Sequence, residues 1–212
     1  EFDLKDNFVF LKEEPQNPLL RINLGELLRS EHFRDQGNMI VTEAFYDPQN
    51  QMLDPKTGKG NLSSTYAYGT QGAEVEVDLE TGKVKVLRVV ASHDVGKILN
   101  KLTLYGQMYG SVVIGLGYAL SEEIKLDKGK NMNPNFLDYK IFSPADMDFP
   151  IDVDCIETDD ELGPFGAKGI GEPGLVPTAP AISNAIYDAI GVRIKDLPIT
   201  AEKILAALKA KK

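Results

Sequence analysis

The sequence predicts an α+β fold in which mixed or antiparallel sheets pack against helices. Residues 66–77 and 83–92 alternate apolar and polar side chains, and the segment 78–82 between them is rich in turn-forming residues. That pattern is typical of a β-hairpin. Two apolar stretches, 102–120 and 176–190, have the length of helices rather than of strands.

The first third of the chain predicts a smaller set of elements. Asn23 is followed three residues later by Glu26, which indicates the capped start of a short helix. Residues 40–46 favour a strand, and 47–60 are rich in Pro, Asp, Asn and Gly and favour a loop. We therefore expect 1–64 to form an amino-terminal segment with a short helix, a strand and a loop.

Residues 65–212 are expected to form the main, carboxy-terminal domain. Its first helix, 102–120, follows the candidate cap Asn100 and is largely apolar, which predicts that it is buried. Several glycines interrupt this helix and indicate close packing against another backbone or a ligand. The remaining expected elements are strands at 122–126 and 151–157, turns at 127–130 and 159–161, a helix at 176–190 that stops at Gly191, and a last helix capped by Thr200 whose buried stripe is Ile204, Leu205 and Leu208.

Composition excludes several functional classes. The net charge of −9 argues against a nucleic-acid partner, because such proteins concentrate Lys and Arg. Cys155 is the only cysteine, so this chain alone can build no disulfide, iron–sulfur cluster or zinc cage, and a reducing cytoplasm is expected. No apolar run approaches the roughly 20 residues of a membrane span. The chain starts at Glu1 rather than Met, which is typical of a processed product or a fragment.

The loop 163–174 is the strongest local sign of a functional site. It is crowded with glycines, carries the single carboxylate Glu172 followed by Pro173, and leads into an apolar helix. Glycines allow a backbone to approach a ligand closely, so Glu172 is a candidate proton acceptor. The alternative is that the glycines only reverse the chain and that Glu172 caps the next helix or faces water.

Five blocks of sequence, in a fixed order, raise the specificity of this interpretation. They are 66–69 with 73–78, His93-Asp94-Val95-Gly96, Gly106-Gln107 followed by 115–120, 166–173, and 177–182 through 191–194. In this order they resemble the carboxy-terminal part of the molybdenum-binding subunit of the xanthine dehydrogenase and aldehyde oxidoreductase family, the molybdenum hydroxylases. The resemblance is strong from Thr65 to Leu208 and weak before it.

The resemblance implies an oxidoreductase that hydroxylates an electron-poor C–H carbon with oxygen derived from water. Glu172 matches the family glutamate that acts as general base beside the molybdenum, a task for a partly buried carboxylate within hydrogen-bond reach of the proton that it accepts. Gln107, with Gly106, matches the glutamine that hydrogen-bonds the pterin. The backbone of Lys168, Gly169, Ile170 and Gly171 would line the same cofactor edge, and no side chain is expected to bind the metal directly.

The implied cofactor is molybdenum–molybdopterin, in the cytosine dinucleotide form, shared with another chain. The implied partners are a second molybdenum-subunit polypeptide, an iron–sulfur subunit and a flavin subunit carrying FAD, with a small molecule as substrate. The upstream family segments that grip the pterin are not recognisable in residues 1–64. We therefore expect the isolated chain to be inactive.

Other interpretations stay open at this point. The chain could be a non-catalytic assembly or binding module, or an inactive fragment of such a subunit. His93 and Asp94 could form a polar dyad, although a structural role at the end of a strand is favoured. The glycines at 166–171 could hold a nucleotide phosphate, and Lys168 could pair with a phosphate or an acid. The acids Asp152, Asp154, Glu157 and Asp160 could bind a cation, although their spacing lacks the calcium-loop pattern.

Overall fold

The computed structural model describes residues 1–33, 41–47 and 50–211. The chain divides into two compact units, Glu1–Asp47 and Pro48–Lys212. The division into domains at 1–64 and 65–212 stays a prediction.

The first unit contains a small sheet that the sequence analysis missed. Strands β1 (Phe2–Lys5), β2 (Phe8–Leu11) and β3 (Arg21–Asn23) pair antiparallel in that order. Helix α1 (Leu24–His32) follows directly. The Asn23 side chain accepts hydrogen bonds from the backbone N–H groups of Gly25 and Glu26. The predicted helix start is therefore confirmed.

The prediction of a strand at 40–46 is wrong for the residues of this segment that the structure describes. Residues 41–47 have no regular secondary structure, and Ile40 lies outside the described residues. Val41 and Phe45 are largely exposed. Alternating apolar residues favour a strand only where a neighbouring strand and a core receive them.

The second unit contains the site. Its elements are β4 (Gly69–Val77), β5 (Val84–Asp94), α2 (Lys101–Leu120), β6 (Leu126–Asp127), β7 (Lys130–Asn131), β8 (Ile151–Ile156), α3 (Thr178–Ile190) and α4 (Ala201–Lys211). The predicted hairpin is confirmed as the antiparallel pair of β4 and β5, and β8 pairs parallel to β5 on its other side. The result is a mixed sheet ordered β4-β5-β8, which confirms the predicted fold class.

The strand predicted at 122–126 is reduced to the two-residue β6, which pairs with β7. Side chains take the place of strand pairing upstream of it. The nearly buried Asn133 donates to the carbonyl of Glu123 at 2.7 Å and accepts from the N–H of Lys125 at 2.8 Å. The predicted turn at 127–130 is confirmed by the same hairpin.

The core lies between the mixed sheet and the helices. Its fully buried apolar side chains include Val89, Met108, Val112, Leu116, Ile182, Ile186 and Ile204. α2 and α3 approach closely at Gly115, where an added Cβ would lie 2.4 Å from the Cβ of Thr178. The prediction that glycines in α2 allow close packing is therefore confirmed at Gly115, which contacts Thr178 of α3.

The opposite face of α2 is exposed in this chain. Leu102 is 84% exposed, Ile114 55% and Tyr118 53%, and Gly106 and Gly110 lie on the same side. The prediction that α2 is buried is therefore wrong for this face in the chain by itself. Only one of the two apolar faces is covered by residues that the structure describes.

The ends of the helices follow the sequence signals. Asn100 caps α2 by accepting from the N–H of Thr103 at 3.1 Å, and Gly191 ends α3 in the left-handed conformation with φ 66°. Thr200 caps α4 by accepting from the N–H of Lys203 at 3.4 Å. Across the described ranges, no helix combines the length and the apolar character needed to cross a bilayer.

Candidate active site

The loop that carries Glu172 runs along α2 before it enters α3. The side-chain amide of Gln107, on α2, donates from Nε2 to the carbonyl of Gly171, the residue before Glu172. A direct contact between helix and loop thus holds Gln107 against the residue that precedes Glu172. Gln107 still has its amide oxygen and a second N–H for another ligand.

A cleft of about 430 Å³ opens beside this contact. It lies between the start of α2 and the loop. Its lining includes Lys97, Asn100, Gln107, Lys168, Ile170 and Gly171. Gly106, which precedes Gln107, is exposed and an added Cβ there would meet nothing within 4 Å.

Glu172 itself is among the residues that line a second pocket of about 460 Å³. Tyr68, His93, Pro173 and Val176 are among the residues that line this pocket. The Glu172 side chain is exposed, so this chain does not supply the partial burial that the sequence analysis expected.

Lys168 is committed to an acid rather than to a phosphate in this chain. Its ammonium lies 2.7 Å from Oδ2 of Asp94, and each side chain is only 9% exposed. It also donates to the carbonyl of Tyr66 at 2.9 Å, while the backbone N–H of Lys168 donates to Val95 at 3.0 Å. The charged end of Lys168 is therefore engaged by Asp94 and Tyr66, although Lys168 is among the residues that line the cleft.

The carboxylate of Asp94 is stabilised from several directions. Burial raises its pKa, but hydrogen bonds from Lys168, Thr158 and the N–H of Gly96, with the charge of Lys168, outweigh burial and leave the pKa lowered. Asp94 and His93 make no dyad: Asp94 faces Lys168, and His93 faces Gln71. These contacts fit the structural role that the sequence analysis favoured for His93 and Asp94.

The acids of β8 and the following turn are used within the chain. Asp152 pairs with Arg88 at 2.6 Å, Asp154 accepts from Ser92, Glu157 accepts from the N–H of Ile98, and Asp160 lies 3.8 Å from the ammonium of Lys168. Among the residues that the structure describes, no cluster of acids, histidines and cysteines could hold a metal ion.

Sequence reasoning missed Gln71, which lies on the partly buried face of β4. Its amide Nε2 donates to the carbonyl of Gly174 at 2.6 Å, and its Oε1 accepts from the hydroxyl of Thr178 at 2.6 Å. A signal was present in the sequence. The inward positions of β4 that follow are apolar, so a glutamine at the first of them is an exception that needs polar partners.

The loop segment 169–171 fits a ligand rich in hydrogen-bond acceptors. Within the described part of the chain, the N–H groups of Gly169, Ile170 and Gly171 donate to no backbone acceptor. An added Cβ on either glycine would meet nothing within 4 Å, and neither glycine has a positive φ. The chain's own packing therefore does not require glycine here, whereas the close approach of another group would. These features fit a molybdopterin, whose pterin edge offers acceptors and donors.

Gly174 is required by packing within the chain. An added Cβ would lie 2.9 Å from the Cβ of Ser111 and 3.2 Å from the sulfur of Met108, both on α2. We expect Gly174→Ala to push the loop away from α2 and to lower the free energy of unfolding by about 1–3 kcal/mol. Gly169→Ala is the matched control, because its Cβ enters open space. Urea unfolding of both variants measures the difference, and equal stabilities would contradict the close contact.

Comparison with known proteins identifies the family. The model for the molybdopterin cofactor-binding domain matches residues 1–148. The chain is 32% identical over 200 residues to the putative xanthine dehydrogenase molybdenum-binding subunit XdhA of Escherichia coli strain K12, covering 92% of this chain and 24% of that protein. It is 39% identical over 152 residues to the 6-hydroxypseudooxynicotine dehydrogenase complex subunit gamma of Paenarthrobacter nicotinovorans, covering 69% and 19% respectively.

Solved structures give the same result. Quinoline 2-oxidoreductase from Pseudomonas putida 86 aligns with a TM-score of 0.71 at 25% identity, covering 98% of this chain and 26% of that one. The aldehyde oxidoreductase from Desulfovibrio gigas aligns with a TM-score of 0.68 at 38% identity, covering 76% and 17%. The chain spans about a quarter or less of the length of these proteins.

The match to the family model begins at residue 1, so it also covers the first third of the chain, where the sequence analysis found only a weak resemblance. It includes Gln107. The loop with Glu172 lies beyond its end. The chain belongs to the molybdopterin cofactor-binding domain family, among the molybdenum-binding subunits of the xanthine dehydrogenase and aldehyde oxidoreductase type.

Proposed function

We propose that this chain forms one wall of the molybdopterin site of a molybdenum hydroxylase and supplies its general base, Glu172. The enzyme would oxidise an electron-poor C–H carbon with oxygen derived from water. The observation that supports this best is the hydrogen bond from Gln107 to Gly171, because it holds a candidate pterin ligand against the loop of the candidate base.

Each residue has a separate task in this proposal. The carboxylate of Glu172 takes up a proton at one of its oxygens while the substrate lies in the pocket that it shares with Tyr68 and Val176. When bound, molybdenum–molybdopterin supplies the redox chemistry of C–H oxidation. Gln107, with the adjacent Gly106, binds the pterin through the amide oxygen and the N–H that Gly171 leaves free.

The loop 168–171 contributes backbone rather than side chains. The N–H groups of Gly169, Ile170 and Gly171 point to no protein backbone acceptor among the described residues and would donate to the cofactor. Lys168 would contribute only its stem and its carbonyl, since its ammonium pairs with Asp94. The cytosine dinucleotide form of the cofactor is part of this proposal.

The missing walls of the site would come from another molybdenum-subunit polypeptide. The exposed apolar face of α2, with Leu102, Ile114 and Tyr118, gives that polypeptide a surface to cover. Iron–sulfur and flavin subunits, the latter with FAD, would carry the electrons away in the cytoplasm. The exposure of Glu172 supports the proposal that the isolated chain is inactive, and a non-catalytic assembly module is the second candidate on the same observation.

Molybdenum content tests the cofactor site. We expect the complex purified with its natural partners to contain molybdenum, and Gln107→Leu to weaken retention of the cofactor about tenfold, the effect of losing one or two hydrogen bonds. Mass spectrometry of samples taken during dialysis measures how much molybdenum each complex retains.

The matched control is Gln16→Leu, an exposed glutamine of the first unit. It should retain the wild-type molybdenum content. A wild-type complex without molybdenum would reject the proposed function, and a Gln107→Leu complex with full retention would reject Gln107 as a ligand.

A further inference from the structure

Gln71 makes the second of two contacts that flank Glu172. Its amide donates to the carbonyl of Gly174, two residues after Glu172, as Gln107 donates to the carbonyl of Gly171, one residue before it. The two amides come from different elements, β4 and α2. The segment Gly171–Gly174 is therefore tied to the fold at both ends.

The orientation of the Gln71 amide is fixed by its partners. The carbonyl of Gly174 can only accept a hydrogen bond, so the amide nitrogen must face it, and the hydroxyl of Thr178 donates to the oxygen on the other side. Thr178 is fully buried at the start of α3. The flipped amide would place oxygen against oxygen at Gly174.

His93 completes the set of contacts around the Gln71 amide. The ring is 2% exposed, and its Nε2 lies 3.1 Å from Nε2 of Gln71. This contact is a hydrogen bond when Nε2 of the ring accepts, which requires a neutral ring. Burial lowers the pKa of His93 and so favours that neutral form.

We propose that Gln71 is a positioning residue for Glu172, fixing the Gly174 end of the loop and thereby the direction in which the carboxylate points. This inference rests on the proposed function of Glu172. Two glycines in four residues give the segment backbone freedom, which Pro173 and the hydrogen bond from the N–H of Leu175 to Glu172 limit only locally. The two tethers and the packing of Gly174 on α2 fix the segment to the rest of the fold. A base that is poorly directed loses catalytic rate even when substrate still binds.

Amide hydrogen exchange of the assembled complex tests the tether without any assay of activity. The loop contains internal hydrogen bonds from the N–H of Leu175 to Glu172 and from the N–H of Thr178 to Leu175. In Gln71→Leu we expect these two amides to exchange about tenfold faster, with β5 unchanged, because a local restraint is lost. Thr178→Val, which removes the hydroxyl but keeps the shape, should accelerate the same amides.

The neighbouring Thr70→Val in β4 is the matched control, since its side chain is exposed and should leave loop exchange unchanged. Unchanged loop exchange in Gln71→Leu would overturn the inference. Faster exchange throughout β5 in both Gln71→Leu and Thr178→Val would also overturn it, because the contacts would then support the whole fold rather than the loop.

Steady-state kinetics supply the second measurement. We expect Gln71→Leu to lower kcat about tenfold to a hundredfold with KM and molybdenum content unchanged, because the base is misdirected while binding is intact. A raised KM with an unchanged kcat would contradict positioning. Failure of the proposed function is separate, since it would appear as full activity of Glu172→Gln whatever the loop exchange of Gln71→Leu shows.

Discussion

Replacing Glu172 with glutamine should abolish turnover while the assembled complex keeps its molybdenum. The amide has the size of the carboxylate but cannot accept a proton, so the loss should be about a hundredfold to ten-thousandfold in kcat. The backbone contacts on either side of Glu172 come from Gln107 and Gln71 and do not involve its side chain, so the loop should keep its position. Steady-state kinetics with metal analysis measures both quantities on one sample.

Glu161→Gln is the matched control for this experiment. Glu161 is an exposed acid in the turn before the same loop, and its replacement removes the same charge without touching the pocket of Glu172. It should leave kcat unchanged. Retained activity in Glu172→Gln, or equal losses in the two variants, would remove Glu172 from the role of base.

Replacing Asp94 with asparagine should cause the largest loss of stability. The variant leaves the ammonium of Lys168 in a site where the side chain is 9% exposed, with Asp160 at 3.8 Å as its remaining acidic neighbour. Breaking a buried ion pair by removing one partner typically costs about 3–5 kcal/mol. Urea unfolding, with the midpoint and slope both fitted, measures this loss.

Asp152→Asn provides the contrast within the same sheet. Asp152 pairs with Arg88 at a similar distance, 2.6 Å, but both side chains are about half exposed. A surface pair of this kind contributes at most about 1 kcal/mol. Similar losses in Asp94→Asn and Asp152→Asn would show that burial does not govern the strength of the Asp94–Lys168 pair.

The stability that Asp94 contributes should depend on pH in one direction. The folded state lowers the pKa of Asp94 below the ordinary value of 3.8, so the unfolded chain takes up a proton before the folded chain does as the pH falls. The contribution is therefore complete above that value and is lost as the pH falls through the lower, folded-state pKa. The stability difference between wild type and Asp94→Asn should shrink over that acidic range and stay constant near neutral pH.

Local sequence signals predicted the elements whose partners lie close in the chain. The hairpin of β4 and β5 was predictable because its turn and alternation are contiguous, and α2 because an N-cap precedes a long apolar run. The parallel pairing of β8 with β5 joins residues about sixty positions apart, and nothing local in β8 specifies its neighbour. The sheet of β1, β2 and β3 was missed because its strands have only three or four residues.

The site was predictable where the sequence carries family blocks and not where contacts depend on the fold. Gln107 and Glu172 are 65 residues apart, and their assignment came from the order of those blocks; the contact between Gln107 and Gly171 adds independent support. Gln71 was missed because a single polar residue at a strand position does not reveal that a loop more than a hundred residues later supplies its partner. The burial of Glu172 was misjudged because the sequence of a loop does not show how many of its neighbours pack around one side chain.

The bare side of α2 has a practical consequence for anyone who prepares this polypeptide. The exposed side chains of Leu102, Ile114 and Tyr118 form an apolar surface beside Gly106 and Gly110. Copies of the chain produced without a partner polypeptide should therefore self-associate through this surface. Co-expression with the partner polypeptide, rather than mixing after separate purification, should therefore give protein that does not aggregate.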